Sequence, residues 1–87
     1  MSRYYQTVCR SEDQARDAFH ATDGVLDHIE GVTSYAHKRY AESLLWRFDD
    51  ELPVVEQMLV ALRQTGLFTD VREISEEFFW STRSYAV

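Results

Sequence analysis

Cysteine, proline and glycine are scarce in this sequence, whose 87 residues include one Cys, one Pro and three Gly. A single cysteine, Cys9, cannot form an internal disulfide, which argues against a disulfide-stabilised secreted domain. Since no Pro- or Gly-rich linker divides the chain, we expect one domain over residues 1–87. The three glycines are scattered, so the chain has no glycine-rich phosphate-binding loop.

Long apolar runs are missing as well. No segment approaches the about 18 consecutive apolar residues that mark a membrane-spanning helix. The first residues also lack the apolar core and small residues of a secretion signal. We therefore expect a cytoplasmic protein with no membrane association.

The residues that are present are rich in apolar and aromatic types, at 45% and 14% of the chain. Residues 3–9 alternate as in a strand. Ser11 then opens a capping box, and an apolar stripe at helical spacing continues to Ile29. Gly31 is typical of a helix end. Thr22-Asp23-Gly24 could break the helix into two pieces, but the apolar stripe keeps its phase, so we prefer one helix or a mild kink.

The middle of the chain predicts a hairpin and a second helix. We interpret residues 32–40 and 43–48 as two strands, because their apolar positions would spread around a whole helix; one helix over 33–47 is the competing interpretation. Residues 49–51 and Pro53 are typical of a helix start. The apolar stripe of this second helix consists of Leu52, Val55, Met58, Leu59 and Leu62.

After Gly66, which ends the second helix, the pattern predicts extended chain. Residues 68–74 and 77–83 form one bulged strand or two. The order strand–helix–strand–strand–helix–strand indicates an α+β fold of the ferredoxin-like type, a βαββαβ sandwich with two helices on one face of an antiparallel sheet. An extra C-terminal strand is compatible with the pattern, and residues 75–87 could equally form a docking tail.

Eleven of the twelve aromatic residues lie on or beside predicted strands. Neighbours such as Phe78 and Phe79 point to opposite faces of a strand, so both cannot face the helices. We expect an apolar patch on the open face, covered by a second copy of the chain, by a different macromolecule or by residues 77–87. The aromatic candidates for partner binding are Trp46, Phe48, Phe78 and Trp80.

Acidic residues dominate the outer side of the first helix. The chain carries 15 acidic and 9 basic residues, for a net charge of −6. This balance argues against nucleic acid as a partner, because binding it requires phosphate neutralisation. Asp13, Asp17 and Asp27 form a candidate docking face for a basic protein surface, and the alternative is an ordinary solvated helix face.

Chemistry-bearing residues are few. His20 and His28 are eight residues apart, a poor spacing for a metal site, and we predict no metal and no cofactor. Cys9 has no nearby His that could serve as its base. If the protein is an enzyme, His37 with Tyr35 is the best acid–base pair.

Three functions are compatible with these features. The first is a non-enzymatic interaction protein, expected to be a homodimer, that regulates or inhibits a macromolecular partner by protein–protein contact, as a phage-type inhibitor would. The second is a small dimeric enzyme of the α+β-barrel type acting on a hydrophobic small molecule through His37 and Tyr35. The third is an RNA-binding module that stacks bases on Trp46, Phe48 and Trp80.

Overall fold

A computed structural model describes residues 2–82. In this range the chain forms a four-strand antiparallel sheet and three helices, and the strand order is β2-β3-β1-β4. The α+β class predicted from the sequence is therefore confirmed. The elements are β1 (Arg3–Val8), α1 (Glu12–Ala21), β2 (Tyr35–Tyr40), β3 (Ser43–Phe48), α2 (Leu52–Gln64), β4 (Asp70–Glu73) and α3 (Glu76–Ser81).

The strand β3 lies inside the sheet and is covered on both faces. Leu44 and Trp46 are fully buried in one cluster together with residues of α1 and α2. Leu45, which points the other way, is fully buried against Tyr4 and Phe79. A strand covered on both faces has a continuous apolar sequence, which explains the run Leu44-Leu45-Trp46.

The first helix is shorter than predicted. It ends at Ala21, and Thr22 closes it by donating from its backbone N–H and its Oγ1 to the Ala18 carbonyl oxygen. Gly24 follows with φ of +85°, a left-handed conformation that cannot continue an α-helix. The prediction of one helix as far as Ile29 is therefore wrong. Its apolar stripe still faces inward, because Leu26 is fully buried.

The hairpin and the second helix agree with the sequence interpretation. The strand β3 has the predicted bounds, β2 begins a few residues later than predicted, and the alternative of one helix over 33–47 is wrong. In α2, four of the five stripe residues are buried, whereas Leu52 is 40% exposed. Gly66 has φ of +74° just after the helix.

The C-terminal part of the chain differs from the prediction. Asp70–Glu73 is a strand, but the segment predicted as extended from residue 77 forms α3. The Ser75 hydroxyl accepts a hydrogen bond from the Phe78 N–H at 3.0 Å, and the acidic first-turn residues Glu76 and Glu77 suit the helix dipole. Residues 83–87 of the predicted segment or tail, including Tyr85, lie outside the described residues.

No helix within residues 2–82 is long and apolar enough to cross a membrane.

Candidate functional site

The helix α3 covers part of the sheet face that α1 and α2 leave open. Phe79 is 4% exposed and packs its ring 5.2 Å from that of Tyr4, above the fully buried Leu45. Phe78 is half-buried and meets the Tyr40 ring edge-on at 5.6 Å. Of the three covers considered for this face, the chain's own C-terminal segment therefore occupies this area.

Lys38, the only lysine of the chain, fixes the end of α3. Its Nζ donates hydrogen bonds to the carbonyl oxygens of Phe79 and Thr82, the second at 2.9 Å. The same ammonium group lies 4.4 Å from the centre of the Phe79 ring. A cation at this position satisfies terminal helix carbonyls and the negative end of the dipole. Burial lowers the pKa of the Lys38 amine.

Trp80 is the most exposed large apolar side chain of the described residues, at 57%. Its indole Nε1 donates to the Tyr4 hydroxyl at 3.3 Å, and that hydroxyl donates to Glu76 Oε2 at 3.0 Å. The Trp80 ring meets Phe79 edge-on at 5.1 Å and lies 5.6 Å from the Arg47 guanidinium carbon. The indole is therefore held in one orientation while one side of it remains in solvent.

Two other aromatic candidates for partner binding lie in the core. Trp46 and Phe48 have no exposed surface and pack beneath α1 and α2. The Trp46 Nε1 donates to the buried Thr7 Oγ1 at 2.9 Å, so the indole is also satisfied internally. Neither ring can stack on a base or contact a partner in this arrangement, which removes two of the three aromatics on which an RNA-binding surface would rest.

The three acidic candidates are exposed. Asp13 forms an ion pair with Arg16 at 3.3 Å, and Asp27 is 3.5 Å from the Tyr35 hydroxyl. Asp17 has neither an ion pair nor a side-chain hydrogen bond among residues 2–82. The segment 12–30 therefore presents a negative surface on the side of the sheet opposite to α3.

The imidazole of His37 lies within a stack of aromatic rings. It is parallel to Trp46 within 13° at 4.7 Å and lies 4.5 Å from the Phe19 ring. Its Nε2 is 3.4 Å from the Phe19 carbonyl oxygen. Burial lowers the pKa of His37, which the Phe19 carbonyl and Asp23 partly offset. Burial thus disfavours the charged imidazolium, and the ring packs against Phe19 and Trp46.

The Tyr35 ring lies 6.2 Å from the His37 ring and is tilted by 34° to it, so the structure does bring together the two residues predicted as an acid–base pair. Burial and the neighbouring Asp27 raise the pKa of the Tyr35 phenol, which opposes its ionisation. Four cavities in the described part of the chain are lined by other residues, and none reaches either side chain. The pair therefore has no substrate space in these four cavities.

Burial also raises the pKa of the Cys9 thiol, so this cysteine is a poor nucleophile.

One cavity of about 220 Å³ lies beside the start of α1. Arg10, Gln14 and Asp17 line one side, and residues 66–69 line the other. Sequence reasoning did not single out Arg10, because an isolated arginine after a strand carries no motif. Tyr4, Lys38 and Arg47 likewise belong to no motif that would mark them as site residues. The helix α3 did have a sequence signal, because Ser75 followed by two acidic residues repeats the helix-start pattern of Ser11.

Among residues 2–82, no group of three or more His, Cys, Asp or Glu side chains is arranged to hold a metal ion. His20 and His28 are both exposed. Comparison with known proteins gives no significant match to a protein family, to a curated protein or to a solved structure.

Proposed function

We propose that this is a non-enzymatic interaction protein that regulates or inhibits a macromolecular protein partner through direct contact, with Trp80 as the anchor. The observation that carries the proposal is the exposure of Trp80, 57%, in an orientation fixed by Tyr4 and Phe79. Exposed tryptophan is costly in water, and tryptophan and arginine are the residues that most often dominate binding energy at protein interfaces.

The fixed orientation of the indole supports a binding role. Ordering a side chain on association costs roughly 0.5–1.5 kcal/mol, and a side chain already held in place avoids part of this cost. Trp80 is held by a hydrogen bond on one edge and by an aromatic contact, with Arg47 beside it. The exposed side of the ring is therefore presented ready for contact.

Two acidic residues near Trp80 support our inference of a basic partner. Glu76 and Glu77 lie four and three residues before it, which places all three side chains on adjacent turns of α3. Neither carboxylate has an ion pair among residues 2–82. We infer that the partner presents an apolar pocket rimmed by Lys or Arg. The excess negative charge, including Asp13, Asp17 and Asp27, would speed the encounter.

We also propose that the sheet with α1 and α2 is a ferredoxin-like βαββαβ sandwich. The element order is β1-α1-β2-β3-α2-β4, both helices contribute to one buried cluster, and the strands are antiparallel in the order β4-β1-β3-β2 read from the other edge. In this description α3 is an additional helix that follows β4, the last strand of the sandwich. It covers part of the face that such a sandwich leaves open.

The proposal is tested by comparing partner capture by the parent chain, by Trp80→Ala and by Val60→Ala. Val60 is the matched control, since it is 48% exposed on α2 and lies outside α3. We expect a basic protein to be captured by the parent and the control but not by Trp80→Ala. With the purified partner, calorimetry should show roughly thirtyfold weaker binding for Trp80→Ala and unchanged binding for Val60→Ala.

Two results would count against this function. One is a purified partner that binds the parent and Trp80→Ala with equal affinity while circular dichroism shows both folded. The other is sedimentation data in which the parent is a dimer and Trp80→Ala is a monomer, because a second copy of the chain would then be the occupant of this surface.

A further inference from the structure

The cavity beside α1 has walls that are held in place by the sheet. Arg10 lies two residues after the end of β1, and the opposite wall is anchored to the end of the same strand. The Thr69 N–H and hydroxyl both donate to the Val8 carbonyl oxygen, at 2.7 and 3.2 Å. Thr65 Oγ1 accepts from the Leu67 N–H at 3.2 Å at the other end of that wall. One wall of this cavity of about 220 Å³ is thus anchored by hydrogen bonds to the end of β1 and within residues 65–67.

Two opposite charges line this cavity without neutralising each other. Arg10 and Asp17 do not form an ion pair, because their charged nitrogen and oxygen atoms are more than 4.0 Å apart. The ion pairs among residues 2–82 are Arg16–Asp13, Arg47–Asp49 and Arg72–Asp70. Neither side chain makes a hydrogen bond in the described part of the chain. Opposite charges that share a cavity but stay separate leave room for a ligand carrying the complementary pair.

The rest of the lining is apolar and uncharged. Leu67 and Phe68 are half-buried and pack against the core with part of their surface turned to the cavity, and Gln14 adds an uncharged amide. A simple anion would be repelled by Asp17, and a simple cation by Arg10. A small molecule with one positive group, one negative group and an apolar part avoids both repulsions.

We propose that this cavity binds a small zwitterion with an apolar side chain, of the class of free apolar α-amino acids. The ligand carboxylate lies on the Arg10 guanidinium, its ammonium group lies on the Asp17 carboxylate, and its apolar part contacts Leu67 and Phe68. This site is separate from the Trp80 surface, because α1 and α3 lie on opposite faces of the sheet. Either proposal can fail without the other.

The test is calorimetric and NMR titration of the intact chain with leucine, valine, methionine and phenylalanine. We expect saturable binding of at least one of these, with shifts of the amide signals of Arg10, Gln14 and Phe68. N-acetylation or amidation of that amino acid removes one charge and should weaken binding. Arg10→Gln and Asp17→Asn should each weaken it at least about tenfold, as the loss of a charge-assisted hydrogen bond does.

Arg16→Gln and Asp13→Asn are the matched controls, because they make the same changes at two residues that pair with each other and do not line the cavity. They should leave amino-acid binding unchanged. Three results would overturn the proposal. These are no saturable binding of any of the four amino acids, equal binding of the N-acetylated and free forms, or equal loss of binding in the control variants.

Discussion

The ammonium group of Lys38 lies over the ring of Phe79 at 4.4 Å and donates a hydrogen bond to the carbonyl oxygen of the same residue. One side chain of an edge strand thus contacts both the apolar and the polar part of a residue 41 positions away in sequence. Because α3 has only six residues, this contact and the burial of Phe79 replace the internal stability that so short a helix lacks.

Replacing Lys38 by Met should loosen α3 while the rest of the protein stays folded. The substitution keeps most of the apolar stem but removes the ammonium donor. The Phe79 carbonyl then keeps only the Thr82 hydroxyl as a side-chain donor, at 3.1 Å, and the Thr82 carbonyl loses the donor that it had in Lys38. We expect the amides of Phe79 to Thr82 to exchange with solvent about tenfold faster or more. Hydrogen exchange followed by NMR measures this change. Arg16→Met on the outer side of α1 is the control, and unchanged exchange in α3 of the Lys38 variant would contradict the role assigned to Lys38.

His37 should make stability fall as the pH drops below 6.5, the ordinary pKa of histidine. Burial lowers the folded-state pKa, so between that value and 6.5 the unfolded chain binds a proton that the folded chain does not. The contribution of His37 to the free energy of unfolding is therefore fully present above pH 6.5 and is lost as the pH falls toward its folded-state pKa.

Denaturant titrations above and below pH 6.5 measure this loss. In His37→Phe, which keeps an aromatic ring between Phe19 and Trp46, the pH dependence in this range should be smaller. His28→Gln changes an exposed histidine and should retain the dependence of the parent. Identical pH profiles for the parent and His37→Phe would show that the imidazole does not cause it.

Ala41→Gly should stabilise the protein. Ala41 sits in the hairpin between β2 and β3 with φ of +52°, a left-handed conformation that costs a residue with a Cβ roughly 1–2 kcal/mol. Glycine removes this strain but gains entropy in the unfolded chain, so we expect a net gain of up to about 1 kcal/mol, measured by thermal unfolding. Ala21→Gly, at the end of α1, is the matched control and should destabilise by about the same amount. Equal destabilisation by both would refute the strain at Ala41.

Thr7→Val should cost about 1–3 kcal/mol of unfolding free energy. The two side chains have the same shape, but valine leaves the fully buried Trp46 N–H without the acceptor it has at 2.9 Å. Chemical denaturation gives the difference. Thr69→Val removes an exposed hydroxyl of the same type and should have a much smaller effect. Comparable losses in the two variants would mean that the buried indole bond contributes little.

Several elements have local signals and could be predicted from the amino-acid sequence. The hairpin strands, the second helix and the start of the first helix follow from alternation, helical spacing, the N-cap Ser11 and the first-turn Pro53. These patterns depend on neighbours within a few residues, so no knowledge of the tertiary structure is needed. The helical spacing also predicted correctly that Leu26 is buried, although the helix itself ends at Ala21, before this residue.

The remaining features depend on contacts between segments that are distant in sequence. The helix α3 depends on Tyr4, Lys38 and Leu45, which are far away in sequence, and without them six residues would not remain helical. The same holds for His37, whose chemistry is set by the rings of Phe19 and Trp46. Which aromatic residues reach solvent, and which charges share a cavity, are properties of packing between distant segments, and the sequence pattern of any one segment does not contain them.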